Sequence, residues 1–174
     1  MQLDALTTPE KIDQKVASFC RHLSTSSPIY VEVKPELWSR QSTCDMNVQK
    51  LIEELGGSQV IGYKIWYIKA KYIEAERHVI HELDGVLRDP TFNTDGETII
   101  LFVPDKDSTT LYDARPMKVR KGFTQRSRLF AQAKDREEQF AVRLTNEESW
   151  EQMLTYERWL AGERMSNMWL QPVS

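Results

Sequence analysis

Apolar residues recur at helical spacing in two stretches before residue 60, and alternate or run continuously through residues 61–103. In the first stretch Ile12, Val16, Phe19 and Leu23 fall three or four residues apart, Thr8 can cap and Pro9 suits a first turn. That predicts a helix over residues 8–23. Ile29 to Val33 is β-branched and alternating, a short strand. The second helical stretch holds Val48, Leu51, Ile52 and Leu55, with Ser42 or Thr43 as N-cap and Gly56-Gly57 as a stop. Residues 61–82, rich in Ile, Tyr, Trp and Val, predict one long strand or two strands with a bend. Asp84-Gly85 is a two-residue hairpin signal, and Thr98 to Val103 predicts a buried strand bounded by Pro104-Asp105. Near the C-terminus Thr145-x-x-Glu148 is a capping-box pattern that opens a helix through Trp150 and Leu154, ending near Gly162. The pattern gives an α+β fold: a central, mostly antiparallel sheet packed against an N-terminal Cys-bearing helix, with helices at both chain ends.

With 174 residues, a hydrophobic fraction of 40% and five tryptophans, the chain is long and apolar enough to fold as one domain over residues 1–174. A net charge of −3 argues against nucleic-acid binding by global electrostatics. Lys118, Arg120, Lys121, Arg126 and Arg128 nevertheless form a local basic patch over residues 117–128. A solvated loop or helix face is the favoured reading of it, and contact with phosphate or an acidic partner the other. The Met- and Trp-rich spacing in 150–169 reads as core packing. Two cysteines, Cys20 and Cys44, are too few for a disulfide framework and fit a reduced compartment. No apolar stretch has the length of a transmembrane helix, and the first residues lack the basic start and apolar run of a secretory signal. The expected location is a cytoplasm, that of a bacterial cell or an infected host. No cofactor is expected.

The chemistry resides in a thiol at a helix start followed by a histidine and an aspartate on a hairpin. Nucleophile, base and orienting acid in that order suggest acyl transfer through a thiolate. Free N–H groups and the positive dipole end favour the thiolate of Cys44, while adjacent Asp45 opposes it. A two-residue turn at Asp84-Gly85 pairs Leu83 with Val86, which sets Ile80 opposite Asp89 and His78 opposite Thr91. His78 and Asp89 then share a face as diagonal neighbours, roughly 7–8 Å apart at most, within side-chain reach. His81, three residues along, falls on the opposite face with Arg88. Gln41 and Asn47 are candidate side-chain donors for an oxyanion beside the backbone N–H of Cys44. Glu76 shares the His78 face and could tune the imidazole or contact substrate.

Cys44 at a helix start, His78 on a strand and Asp89-Pro90-Thr91 after a Gly-containing hairpin resemble transglutaminase-like proteins of the papain-like cysteine-enzyme fold. The segments Gly62-Tyr-Lys-Ile-Trp-Tyr and Glu74-Ala-Glu-Arg-His78 are similar to bacterial and phage proteins of this type. The resemblance covers roughly residues 38–103, leaving a C-terminal extension over about 108–174. It implies Cys44 as nucleophile, His78 as general base and acid, Asp89 as orienting residue, and a protein or peptide substrate containing an amide. Two other readings stand beside it. One is a non-catalytic protein-binding module, such as a phage or host inhibitor, on the same fold. The other is a metal-dependent enzyme using ligand types among Glu74, Glu76, His78, His81 and Cys44. Histidines three apart on a strand, with one thiol nearby, argue against the metal, and none is expected.

Overall fold

The computed structural model describes residues 6–105, 117–142 and 144–166. In chain order the elements are α1 (Gln14–Leu23), β1 (Ile29–Glu32), α2 (Cys44–Leu55), β2 (Ser58–Ile68), β3 (Tyr72–Leu83) and β4 (Val86–Arg88). They continue with β5 (Ile99–Pro104), β6 (Lys118–Gly122), α3 (Gln125–Gln139), α4 (Asn146–Gln152) and α5 (Tyr156–Leu160). The fold is α+β, with helices towards both ends of the chain and a six-stranded sheet in the order β1-β5-β2-β3-β4. The twelve residues of β3 carry two partners on one edge: β6 pairs residues 72–76 and β4 pairs 81–83, both antiparallel. Contacts divide the chain into two compact units.

The first unit comprises residues 1–30, 61–78 and 100–139. The helix expected over residues 8–23 begins at Gln14. Thr7 instead forms an antiparallel bridge with Tyr67, so the backbone ahead of α1 is committed to extended pairing. Asp13, not Thr8, is the cap: its Oδ1 accepts the N–H groups of Lys15 and Val16, and its Oδ2 accepts the Tyr67 hydroxyl. Val16, Phe19 and Cys20 of α1 then pack against Ile65, Tyr67, Ile73, Ala75, Leu101 and Val103 of the sheet. The Val16 N–H foremost, opposed by burial and reinforced by Tyr67 and Lys15, holds the Asp13 carboxyl below its ordinary value of 3.8. Stabilisation from this cap is therefore complete above that value and lost as pH falls through the lower folded value. Asp13→Ala should cost about 1 kcal/mol at neutral pH. The cost should shrink in thermal melts taken well below pH 3.8; a cost unchanged by acid would mean the carboxylate is not the cap.

Alternation along β3 sends Ile73 and Ala75 into that apolar cluster and Tyr72, Glu74 and Glu76 to the other side. There the register sets Glu74 opposite Arg120 and Glu76 opposite Lys118, and α3 adds Asp135 and Glu138. Lys118 lies 2.9 Å from Glu74 and 3.4 Å from Glu76, while Arg120 donates to Asp135 and Glu138 at 2.7 Å each. Lys118 and Arg120 are thus neither a solvated face nor a site for phosphate: carboxylates of the same unit consume their charge. Lys121, Arg126 and Arg128 are exposed, as a solvated face requires.

The second unit comprises residues 31–60, 79–99 and 140–174. Asp84 and Gly85 both have positive φ, 52° and 78°, the two-residue hairpin geometry that aspartate and glycine tolerate. The register that follows is the expected one, Leu83↔Val86 through His81↔Arg88. The ladder stops there, and the expected Ile80–Asp89 pair is not part of it. Asp89 instead makes a parallel bridge to Val33, its N–H bonding Glu32 O and its carbonyl accepting Lys34 N–H. Pro90 beside it has no N–H with which to continue a ladder.

The helix expected from Thr145 to Gly162 is two short helices. Its capping box forms as expected, but the chain leaves helical geometry at Met153. Gln41 N–H bonds Leu154 O, and Tyr156 N–H bonds Ser39 O, so backbone groups that would close helical turns serve the 37–41 segment. Thr155 then caps α5. Met153 and Leu154 are buried, and Trp159 packs on Phe92 and Tyr156. Residues 167–169 of the Met- and Trp-rich stretch lie outside the described residues.

Candidate functional site

Cys44 is the first residue of α2, with Thr43 at the N-cap position. Thr43 does not cap with its side chain; its hydroxyl donates to Arg40 O at 3.2 Å. The buried stripe of α2 is Cys44, Asn47, Val48 and Leu51, so the thiol lies in line with the packed face, as the spacing predicts. Leu55, the last residue of the helix, is exposed. Both thiols, Cys20 and Cys44, are free. Burial pushes Cys20 up to about 11, making it an unreactive internal reference.

Asn47 fastens α2 to two neighbours. Its Oδ1 accepts Arg40 N–H at 2.8 Å, and its Nδ2 donates to Arg40 O at 2.8 Å and to Thr91 Oγ1 at 3.0 Å. Both amide hydrogens are committed in this way, so Asn47 acts as a staple and has no donor left for an oxyanion. Thr91 closes the circuit, since its N–H donates to Asp89 Oδ1 at 2.9 Å across Pro90. The start of α2 and the Asp89-Pro90-Thr91 turn are therefore tied together within the second unit, with Asp89 fully buried. Gln41 is also buried; its Nε2 donates to Met165 O at 3.1 Å.

His78 lies on β3 at the end of the first unit's central segment, buried, with its ring 6.5 Å from that of Phe102 and steeply inclined to it. Two residues earlier on the strand, Glu76 is held below its ordinary carboxyl value. Burial pulls the other way, but Lys118, Lys64 and His78 together outweigh it. Lys64 is itself buried, with its ammonium 4.2 Å from the centre of the Trp66 ring. His81 has a different occupation: its Nε2 lies 2.8 Å from Gly56 O, at the C-terminus of α2. The next residue, Gly57, has φ of +90°, and a Cβ there would stand 2.7 Å from the His81 ring and 2.3 Å from Glu82 O. The Gly-Gly stop is thus fixed by His81 as well as by backbone freedom.

The triad candidates accordingly divide as Cys44 and Asp89 in the second unit and His78 in the first. Among the described residues, no group of three His, Cys, Asp or Glu side chains is arranged to hold a metal ion. A cleft of about 420 Å³ in the first unit is lined by Thr7, Pro9, Lys11, Tyr67, Lys69 and Lys71 among others, and none of the candidate residues lines it. The sequence reading did not assign Thr91, although an Asp whose carboxylate can accept the backbone N–H two residues on, as in Asp-Pro-Thr, is a local signal for such a turn. It did not single out Arg40 either, whose backbone is the other anchor of Asn47. No helix among the described residues is long and apolar enough to cross a membrane. Compared with family models, curated proteins and solved structures, the chain matches none.

Proposed function

We propose that this chain is a cysteine-dependent hydrolase or acyltransferase of the transglutaminase-like, papain-like type. The observation that carries the reading is the Asn47–Thr91–Asp89 circuit, which fastens the helix beginning at Cys44 to the segment bearing a buried carboxylate. His78 takes the proton from Cys44, and the thiolate attacks the carbonyl carbon of an amide in a protein or peptide substrate. The backbone N–H of Cys44, with Gln41 as the side-chain candidate, receives the developing oxyanion. His78 returns the proton to the departing amine, leaving a thioester that water or a second amine resolves. Asp89 orients the imidazole. Two free thiols fit a cytoplasmic setting. No step in this scheme calls on a metal or cofactor.

Burial of Cys44, only 6% exposed, favours a second reading in which the same fold binds a protein partner without turnover. Iodoacetamide labelling of the native protein near neutral pH, followed by mass spectrometry, separates the two. An activated Cys44 should be carbamidomethylated at least about tenfold faster than Cys20, and His78→Ala should abolish the difference. Labelling of Cys44 no faster than that of Cys20, or unaffected by His78→Ala, would leave the binding module as the surviving interpretation.

A further inference from the structure

Four arginines of the described residues are buried or half-buried: Arg40, Arg77, Arg88 and Arg120. Three of them meet a carboxylate, Arg77 on Asp105, Arg88 on Glu36, and Arg120 on Asp135 and Glu138. Arg40 meets none among the described residues. Its guanidinium lies 4.7 Å from the Trp150 ring and reaches a single carbonyl, Met153 O, at a long 3.4 Å. Its Nε is buried without an acceptor. Desolvation, then repulsion from Arg158, holds its pKa below the ordinary arginine value. The carboxylate of Glu163 pairs with Arg158 and not with Arg40. A half-desolvated cation with no counter-ion among the described residues is a cost to folding, and aromatic stacking recovers only part of it.

The position is not an accident of a loose loop. The Arg40 backbone is fixed on both sides by Asn47 and bridged to Thr155. A second cation–aromatic pair, Lys50 at 5.0 Å from Trp38, stands beside the first, with Trp38 and Trp150 6.4 Å apart. Lys50, however, has Glu54 at 3.2 Å, which leaves Arg40 as the charge of the cluster without a counter-ion among the described residues. A planar fork on an aromatic wall, four residues before Cys44, is suited to receive a carboxylate through paired N–H donors.

We infer that Arg40 and Trp150 form a subsite for a carboxylate carried by the peptide substrate. This identification of the ligand as a peptide rests on the proposed acyl-transfer reading; the subsite itself does not. The carboxylate is either an acidic side chain or a free chain terminus, and both offer the same oxyanion pair to the guanidinium.

Tryptophan fluorescence titrations test this on the full chain carrying Cys44→Ser, so that turnover plays no part. The probes are acetyl-Gly-Glu-Gly-amide, acetyl-Gly-Gly-Gly with a free carboxylate, and neutral acetyl-Gly-Gln-Gly-amide. Saturable binding of one or both carboxylate peptides is expected, with none of the neutral peptide. Arg40→Met should weaken that binding at least about tenfold while melting no lower than the parent, since it removes an uncompensated charge. Arg40→Lys, which keeps the charge and loses the fork, should bind at an intermediate level and gives the comparison if Arg40→Met does not fold. The subsite is overturned if no carboxylate peptide binds, if the neutral peptide binds equally, or if both Arg40 variants bind like the parent. Peptide binding intact in this chain, with Cys44 of the unsubstituted protein labelled by iodoacetamide no faster than Cys20, would instead sink the acyl-transfer reading alone.

Discussion

Replacing Glu138 by alanine is expected to remove about 3–5 kcal/mol of stability, the cost of leaving a buried charge and its donors without a partner. The side chain is 6% exposed on α3. Its Oε1 accepts the backbone N–H groups of Met117 at 2.7 Å and Lys118 at 3.2 Å, and its Oε2 accepts Arg120 at 2.7 Å. Truncation therefore orphans two amide hydrogens and half of the neutralisation of Arg120, whose remaining close carboxylate, Asp135, is half exposed. Glu138→Gln keeps a carbonyl for the two amides and gives up the charge, so its own loss isolates the ionic part and the further loss in Glu138→Ala isolates the acceptor for the amides. Urea unfolding is the measurement. A loss below about 1 kcal/mol, the usual worth of an exposed ion pair, would show the network to be open to water.

Asn47→Ala should cost about 2–3 kcal/mol, because it strands the N–H of Arg40 in a buried setting and removes the donor to Thr91. Asn47→Asp is the sharper probe. The introduced carboxylate keeps the acceptor for Arg40 N–H but turns oxygen towards Arg40 O and Thr91 Oγ1, where Asn47 now donates. Its folded pKa is then raised above the unfolded value, so the protein should be weak at pH 7 and recover part of its stability as pH falls through the folded value. Chemical unfolding at two pH values reads this directly. A penalty that does not relax in acid would mean that Asn47 is not the staple described. On the acyl-transfer reading both substitutions also slow iodoacetamide labelling of Cys44, since they release α2 from the Asp89 turn.

What was legible in the sequence was local. The helix opening at Cys44, the Asp84-Gly85 turn and the register from Leu83–Val86 to His81–Arg88 each depend on residues close in the chain, and each is found. The failures share a different cause, competition from distant backbone. Residues 8–13 satisfied the helical pattern, but Thr7 pairs with Tyr67, sixty residues away. The C-terminal helix was capped as expected and then interrupted because Leu154 and Tyr156 bond the segment around Ser39 and Gln41. Lys118 and Arg120 of the basic patch depart from a solvated face for the same reason: no spacing within 117–128 reveals that Glu74, Glu76 and Glu138 lie across from them. For the candidate site, residue types and order were legible. The tie between α2 and the Asp89 turn was not, because it runs from Asn47 to Thr91, 44 residues apart, and no local spacing encodes that contact.

The β3–β6 pair joins an apolar cluster on one side to an ionic one on the other, and the two respond differently to heat. Burial of Ile73 and Ala75 is driven by water release, which weakens on cooling and levels off on warming. The desolvation penalty of Glu74, Arg120 and Glu138 falls as temperature rises. A single ribbon of backbone thus carries one stabilising term that levels off on warming and another that continues to gain, so the ionic side holds α3 to it at temperatures where the apolar side adds nothing further.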